Sequence, residues 1–127
     1  MKDLTISKEL IKAVLEKETK TLSKDFNFTI NEDYIEFSDD GEMQFEYCIY
    51  KFAFKCKEWA YKQKFTILTE FVNQDGVFSY VIDNNQSIEN YGYLVGDIKI
   101  LLYIPHNKTE IEAIIKACEW ILSEVNK

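Results

Sequence analysis

The spacing of apolar residues changes abruptly near Ile49, and this change constrains the fold more than any other feature of the chain. Before it, aromatic and β-branched residues alternate with polar ones in FNFTI (26–30), YIEFS (34–38) and MQFEY (43–47), and DDGE (39–42) supplies a turn. From Ile49 the apolar residues recur at helical intervals, at Ile49, Phe52, Ala53, Cys56, Trp59 and Ala60. The pattern predicts strands that end in a β-hairpin, followed by an amphipathic helix.

Beyond this helix the alternation returns. FTILTEFV and VFSYVI flank a QDG turn, and the unbroken apolar run IKILLYI (98–104) predicts a fully buried strand. Ser7 predicts the N-cap of a first helix, and Thr109 with Glu112 predicts a capping box that opens the last one. We therefore predict an α+β fold in which an antiparallel sheet packs against two main helices. In this single domain, 1–127, an αβββα core (49–125) follows an N-terminal helix and an acidic hairpin (1–48).

Two helical segments, FKCKEWA (54–60) and IKACEWI (115–121), resemble each other. We call this similarity the sequence echo. The tryptophan follows its cysteine by three residues in the first segment and by two in the second, so Trp120 points almost opposite to Cys118 on its helix. The echo is therefore not a repeated site. The pattern also offers no metal or cofactor site, because Cys48 and Cys56 would be about 12 Å apart if both were helical and His106 is the one histidine. The register predicts a core that includes Phe52, Cys56, Trp59, Ile115, Cys118 and Leu122.

Charge is distributed unevenly along the chain. The net charge is −7, and all fifteen basic residues are lysine. The chain therefore lacks arginine, the side chain that binds phosphate groups through two parallel hydrogen bonds. Residues 25–50 hold eight acidic residues and no lysine. An acidic surface attracts basic partners, although a solvated face that keeps the protein dissolved is the alternative. We predict that the 32–46 hairpin binds a basic surface of a host protein through Glu32, Asp33, Glu36, Asp39, Asp40, Glu42 and Glu46.

Several aromatic residues fall outside the predicted core. Tyr50, Phe54 and Tyr61 form a stripe on the back of the middle helix, and Trp120 projects from the back of the last. Such a stripe is either covered by another part of the chain or serves as a partner or homodimer surface. We include these four aromatics in the predicted partner-binding surface. The long 83–97 connection carries Tyr91 and Tyr93, which we predict to face a ligand.

Two resemblances bear on this reading. The predicted order helix, three strands, helix over 49–125 is similar in topology and length to the double-stranded-RNA-binding domain. That family contacts RNA through lysines in a KKxAK-like segment at the start of its last helix, whereas NKTEIEAIIKA (107–117) has Lys108 followed by Glu110 and Glu112. These carboxylates oppose phosphate, so we predict no direct binding of nucleic acid.

The second resemblance is closer in amino-acid sequence. IYKFAFKCKEWA (49–60) and TEIEAIIKACEWIL (109–122) resemble segments, IYxxAxKCKEWA and TExEAxxKACEWIL, of small uncharacterised bacterial and prophage proteins. Those relatives usually have proline where this chain has Ile111. The resemblance covers only the two main helices, and it implies a shared fold and a mobile-element origin but no activity.

Three functional hypotheses follow. The first is a non-enzymatic protein-binding module, such as a phage-encoded inhibitor or accessory protein; the second is a binder of a small, nucleotide-like ligand that uses Tyr91, Tyr93 and Phe78, in an oligomer if the pocket spans two copies. The third is a hydrolase with His106 as base, which has no nucleophile tied to it by spacing. We favour the first and predict no catalytic residues. No signal-peptide h-region or run of eighteen apolar residues occurs, so we expect a cytoplasmic protein without a membrane partner.

Overall fold

The computed structural model describes residues 4–84 and 100–127 and confirms the predicted α+β class. Its contacts divide the chain into two compact units, Met1–Lys55 and Cys56–Lys127, which we call the N-terminal and C-terminal units. Within the described ranges no helix is both long and apolar enough to cross a lipid bilayer. The helices are α1 (Lys8–Val14), α2 (Glu16–Thr19), α3 (Ile49–Lys62) and α4 (Glu110–Val125), and the strands are β1 (Asn27–Asn31), β2 (Tyr34–Asp39), β3 (Glu42–Cys48), β4 (Phe65–Phe71), β5 (Val77–Asp83) and β6 (Ile100–Asn107).

The N-terminal unit begins with the predicted capped helix. The Ser7 hydroxyl accepts a hydrogen bond from the backbone N–H of Leu10 at 3.1 Å, which satisfies a donor that the first helical turn leaves free. Leu10, Ile11 and Leu15 are completely buried, as an amphipathic helix of this spacing requires. The helix is therefore anchored at its start and along one face.

The acidic hairpin is part of a three-stranded antiparallel sheet in the order β1-β2-β3. Asp40 and Gly41 both have positive φ (55° and 82°), as the central pair of a type I′ hairpin turn does, so the predicted DDGE turn is confirmed. Phe37 in the central strand is fully buried, and its ring lies 4.7 Å from that of Phe45 and 5.9 Å from that of Phe26. This aromatic cluster is the centre of the unit's core.

The C-terminal unit contains a second antiparallel sheet, in the order β4-β5-β6, with α4 against one face. The Thr109 hydroxyl caps α4 by accepting from the N–H of Glu112 at 3.1 Å, which confirms the predicted helix start. The carboxylate of Glu112 pairs instead with Lys116 at 3.1 Å, one turn further along the helix. Thr69 of β4 donates a hydrogen bond to Glu110 at 2.7 Å, so the side chains that share its face of β4 look towards α4.

The prediction that the last strand is fully buried is wrong for its described residues. Ile100 and Tyr103 are each 49% exposed, and residues 101 and 102 are half-buried. The reason is that β6 is an edge strand, and Tyr103 pairs with Tyr80 on the face of the sheet turned away from α4. An unbroken apolar run predicts burial on both faces, and it does not distinguish such a strand from one that keeps a face open.

The two cysteines of the sequence echo meet inside the C-terminal unit. Cys56 on α3 and Cys118 on α4 are completely buried, and the Cys118 thiol donates to the Cys56 carbonyl oxygen at 3.4 Å. Each of the two similar segments lies on a helix that follows a three-stranded antiparallel sheet in the chain, so the similarity accompanies a repeated order of three strands and an α-helix among the described elements. The predicted burial is confirmed for Phe52, Cys56, Ile115 and Cys118 but is wrong for Trp59 and Leu122, which lie at the margin of the core and are half-buried.

Candidate functional site

The seven predicted acidic residues do not form one cluster, because the sheet separates them into three groups. Glu32 and Asp33 form the turn between β1 and β2, whereas Asp39, Asp40 and Glu42 surround the turn between β2 and β3. The six residues of β2 separate these turns by about 17 Å. Glu36 and Glu46 lie directly opposite each other between the two turns, so their like charges repel across the strands.

The β1–β2 turn brings acidic and aromatic residues together. The Tyr50 hydroxyl, at the start of α3, donates to a carboxylate oxygen of Asp33 at 3.5 Å, and the backbone N–H of Ile49 donates to the Asp33 carbonyl oxygen at 2.8 Å. The second bond fixes the beginning of α3 against the turn. We call the surface formed by Glu32, Asp33, Tyr34, Tyr50 and Phe54 the acidic–aromatic corner; all five residues belong to the N-terminal unit and all are exposed.

Large apolar surfaces at this corner face water. The side chain of Tyr50 is 56% exposed, and Phe54, one helical turn further along α3, is 64% exposed. Exposed aromatics at the start of a helix, beside two carboxylates, provide both apolar contact area and a negative field. The described residues therefore leave the Tyr50 and Phe54 part of the predicted stripe uncovered.

The corner includes one residue that the sequence analysis missed. Tyr34 is 47% exposed and lies on the same face of β2 as Glu36, opposite Cys48 of β3. In the sequence Tyr34 is simply one of the aromatic residues that identify the strand YIEFS. Its position directly after the acidic pair Glu32–Asp33 was the available signal, because alternation along the strand puts it on the face opposite to Ile35 and Phe37.

The other acidic turn is engaged within the protein. Asp39 accepts hydrogen bonds from the Ser23 hydroxyl at 2.6 Å and from the Ser23 backbone N–H at 2.8 Å. These bonds stabilise the ionised carboxylate and lower the pKa of Asp39 below its usual value. Asp39 therefore ties β2 to the segment after α2, and its charge is less available to a partner than the charges of Glu32 and Asp33.

An ion pair holds α3 in place next to the corner. Lys55, which follows Phe54, pairs with Glu18 of α2 at 2.9 Å. Partial burial is the largest single effect on Glu18 and raises its pKa, but the hydrogen bond from Lys55, a backbone hydrogen bond and the charges of Lys55 and Lys17 together lower the pKa of Glu18. The hydrogen bond to Glu18 raises the pKa of Lys55. Because both side chains are about one-third exposed or less, this pair restricts the part of α3 that presents Phe54.

The remaining predicted site residues lie elsewhere. Tyr61 is exposed further along α3, within the C-terminal unit, whereas Trp120 is half-buried because its ring stands edge-on to Phe65 at 6.1 Å. The outward projection predicted for Trp120 is therefore only partial. Tyr91 and Tyr93 lie outside the described residues.

His106 and Phe78, named in the alternative hypotheses, are neighbours in the C-terminal unit. The Nδ1 atom of His106 lies 3.1 Å from the carbonyl oxygen of Asp75, so this nitrogen carries the proton and donates it in that contact. The His106 ring stands edge-on to Phe78 at 5.4 Å, and Phe78 in turn contacts Tyr103 at 5.5 Å. These contacts describe an aromatic surface on the face of the second sheet turned away from α4.

Comparison of the chain with protein-family models, curated protein sequences and solved structures finds no match. The resemblances to prophage proteins and to the double-stranded-RNA-binding domain therefore stay predictions. Within the described ranges no group of three or more histidine, cysteine or acidic side chains is placed to hold a metal ion.

Proposed function

We propose that the chain is a non-enzymatic protein-binding module that docks on a basic surface of another protein through its acidic–aromatic corner. The observation that carries this proposal is the junction of Asp33 and Tyr50, which joins an exposed acidic turn to exposed aromatic rings within one structural unit. The whole hairpin was predicted to bind, and the separation of its charges favours the β1–β2 end.

The two kinds of side chain have different roles in this proposal. Glu32 and Asp33 supply a negative field that accelerates encounter with lysine and arginine residues and weakens as salt is added. Tyr50 and Phe54 supply the apolar area that is removed from water in the complex, and aromatic anchors of this kind dominate interface energies. A basic patch with an apolar centre is therefore the complementary surface.

The functional test begins with a partner captured from host lysate at low salt and released at high salt. Its affinity is then measured by biolayer interferometry for the parent and for the double variant Glu32→Gln, Asp33→Asn. The matched control is Asp40→Asn, Glu42→Gln, which removes the same charge from the opposite end of the sheet. We expect the first double variant to associate more slowly and with less dependence on salt, and the control to resemble the parent.

A second arm tests the aromatic anchors. Phe54→Ser should weaken binding by about 30-fold, the effect of a hot spot of about 2 kcal/mol, chiefly through faster dissociation. Because Phe54 is largely exposed, the same variant should keep the parent's unfolding midpoint. Equal losses in both charge variants would mean that net charge alone drives binding, and unchanged binding in the corner variants would place the interface elsewhere.

A further inference from the structure

The outer edge of β4 in the C-terminal unit carries the backbone N–H and C=O groups of every second residue of the strand. The backbone N–H of Asn84 donates to the Lys64 carbonyl at 3.0 Å, and that of Val72 donates to the Gly76 carbonyl at 2.9 Å. Both ends of the β4–β5 ladder thus place even-numbered residues in contact with β5. By alternation Phe65, Ile67, Thr69 and Phe71 direct their N–H and C=O groups to the outer edge, where no strand of the described chain pairs with them.

The other three sheet edges carry features that discourage pairing. β6 contains Pro105, which lacks an N–H group, and its register with β5 is interrupted twice. β3 carries Glu42 and Glu46 and has an irregular register with β2. β1 is the shortest strand and exposes no large apolar side chain.

β4 lacks most of these protections, since Glu70 is its one charged residue. Its seven residues pair in continuous register with β5, and it contains neither lysine nor proline. It also exposes two large apolar side chains, Leu68 at 36% and Phe71 at 72%. An unprotected apolar edge of this kind is a template for strand addition.

We propose that β4 pairs antiparallel with β4 of a second copy of this chain, with Leu68 on the two-fold axis. Only this register overlaps all seven residues of both strands. Phe71 of each copy then lies opposite Phe65 of the other, and Glu70 lies opposite Thr66, so no like charges face each other. Thr69 lies opposite Ile67, and the two Leu68 residues form a non-hydrogen-bonded pair.

The side chains agree with this register on both faces of the sheet. Leu68 pairs with Tyr80, which pairs with Tyr103, so the dimer continues an apolar row across six strands. On the face that carries Thr69, the exposed Phe71 ring gains Phe65 of the other copy as an aromatic neighbour. The interface uses residues 65–71 alone and is independent of the acidic–aromatic corner.

The test measures molar mass by light scattering during size-exclusion chromatography at roughly 100 μM, where a micromolar interface is populated. We expect twice the chain mass of 15.0 kDa for the parent. Leu68→Lys should raise the dimer dissociation constant about 100-fold, because two lysines would face each other at the axis. The control Tyr103→Lys makes the same charge change on the same face but on β6, and it should stay dimeric.

Cross-linking provides a second measurement that does not depend on Leu68→Lys folding. In a Cys48→Ser background, Leu68→Cys places one cysteine of each copy at the two-fold axis. The α-carbons of these two cysteines are about 4.5 Å apart, within the range that a disulfide spans. Diamide takes up the two electrons and two protons that the thiols release and is reduced to the hydrazine, so a covalent dimer should form. Tyr103→Cys is the matched control and should stay a single chain. A monomeric parent, a dimer insensitive to Leu68→Lys, or a dimer without the Leu68→Cys cross-link would each overturn the proposal.

Discussion

Replacing Phe37 with alanine tests the aromatic cluster and the cooperativity of the chain together. Phe37 is completely buried and has ring neighbours at 4.7 Å (Phe45), 5.9 Å (Phe26) and 6.2 Å (Phe28). Removing a buried phenylalanine ring costs about 3–5 kcal/mol, and the lost ring pairs favour the upper half of that range. We expect Phe37→Ala to lower the free energy of unfolding by about 4 kcal/mol.

Urea unfolding followed by far-ultraviolet circular dichroism measures this loss. With a slope of about 2 kcal/mol per molar urea, the midpoint should fall by about 2 M. Phe54→Ala is the matched control, since it makes the same substitution at an exposed position of the same unit and should shift the midpoint by less than about 0.3 M. Equal midpoints for Phe37→Ala and Phe54→Ala would refute the assignment of Phe37 to the core.

Tryptophan fluorescence adds a readout from the other unit. Trp59 and Trp120, the two tryptophans of the chain, both belong to the C-terminal unit. The single-domain prediction requires the fluorescence transition of Phe37→Ala to move with the circular dichroism transition. A fluorescence midpoint equal to the parent's, with circular dichroism in two steps, would mean that the two units unfold separately.

Three further outcomes are expected. Cys118→Asp places an unpaired charge in a fully buried site and should cost several kcal/mol in urea unfolding, so a parent-like midpoint would contradict the register of α4. Lys64→Gly should stabilise the protein by about 0.5–1 kcal/mol in the same assay, because Lys64 follows α3 with a φ of 76°, and destabilisation would show that this lysine contributes a contact that outweighs its backbone strain. The lowered pKa of Asp39 stabilises the fold at pH values above its ordinary pKa of 3.8, and this stability is lost as the pH falls through the lower pKa of the folded state. Ser23→Ala should therefore lower the free energy of unfolding at neutral pH, and its stability should converge with the parent's in acid. A difference that persists in acid would assign the effect to something other than Asp39.

Local signals predicted most of the secondary structure. Ser7 and Thr109 cap their helices as expected, and alternation located the strands, because capping and the pleat depend on residues close in sequence. The burial of β6 was predicted wrongly, since sequence does not reveal whether an apolar strand has a covering element on each face. The burial of Trp59 and Leu122 was also predicted wrongly, because periodicity identifies the inner face of a helix but not where the core ends.

The candidate site was predicted in its components but not in its arrangement. The sequence identified Asp33 and Tyr50 separately, yet they are seventeen positions apart, and only the pairing of β2 with β3 brings them together. The same pairing separates Glu32 from Glu42, although both belong to one acidic run. Side-chain exposure decided the rest, and it depends on long-range packing that no local pattern encodes.

The burial of Cys56 and Cys118 against each other makes their alkylation a measure of how often the C-terminal unit opens. Both thiols are completely buried, and burial raises the pKa of Cys56 well above its usual value, so an alkylating reagent reacts with neither while the core is closed. Labelling of these two residues must wait for an opening event, whereas half-buried Cys48 requires a smaller one. The alkylation rate of the buried pair, followed by mass spectrometry under native conditions, therefore reports how often the C-terminal unit exposes its core, without any added probe.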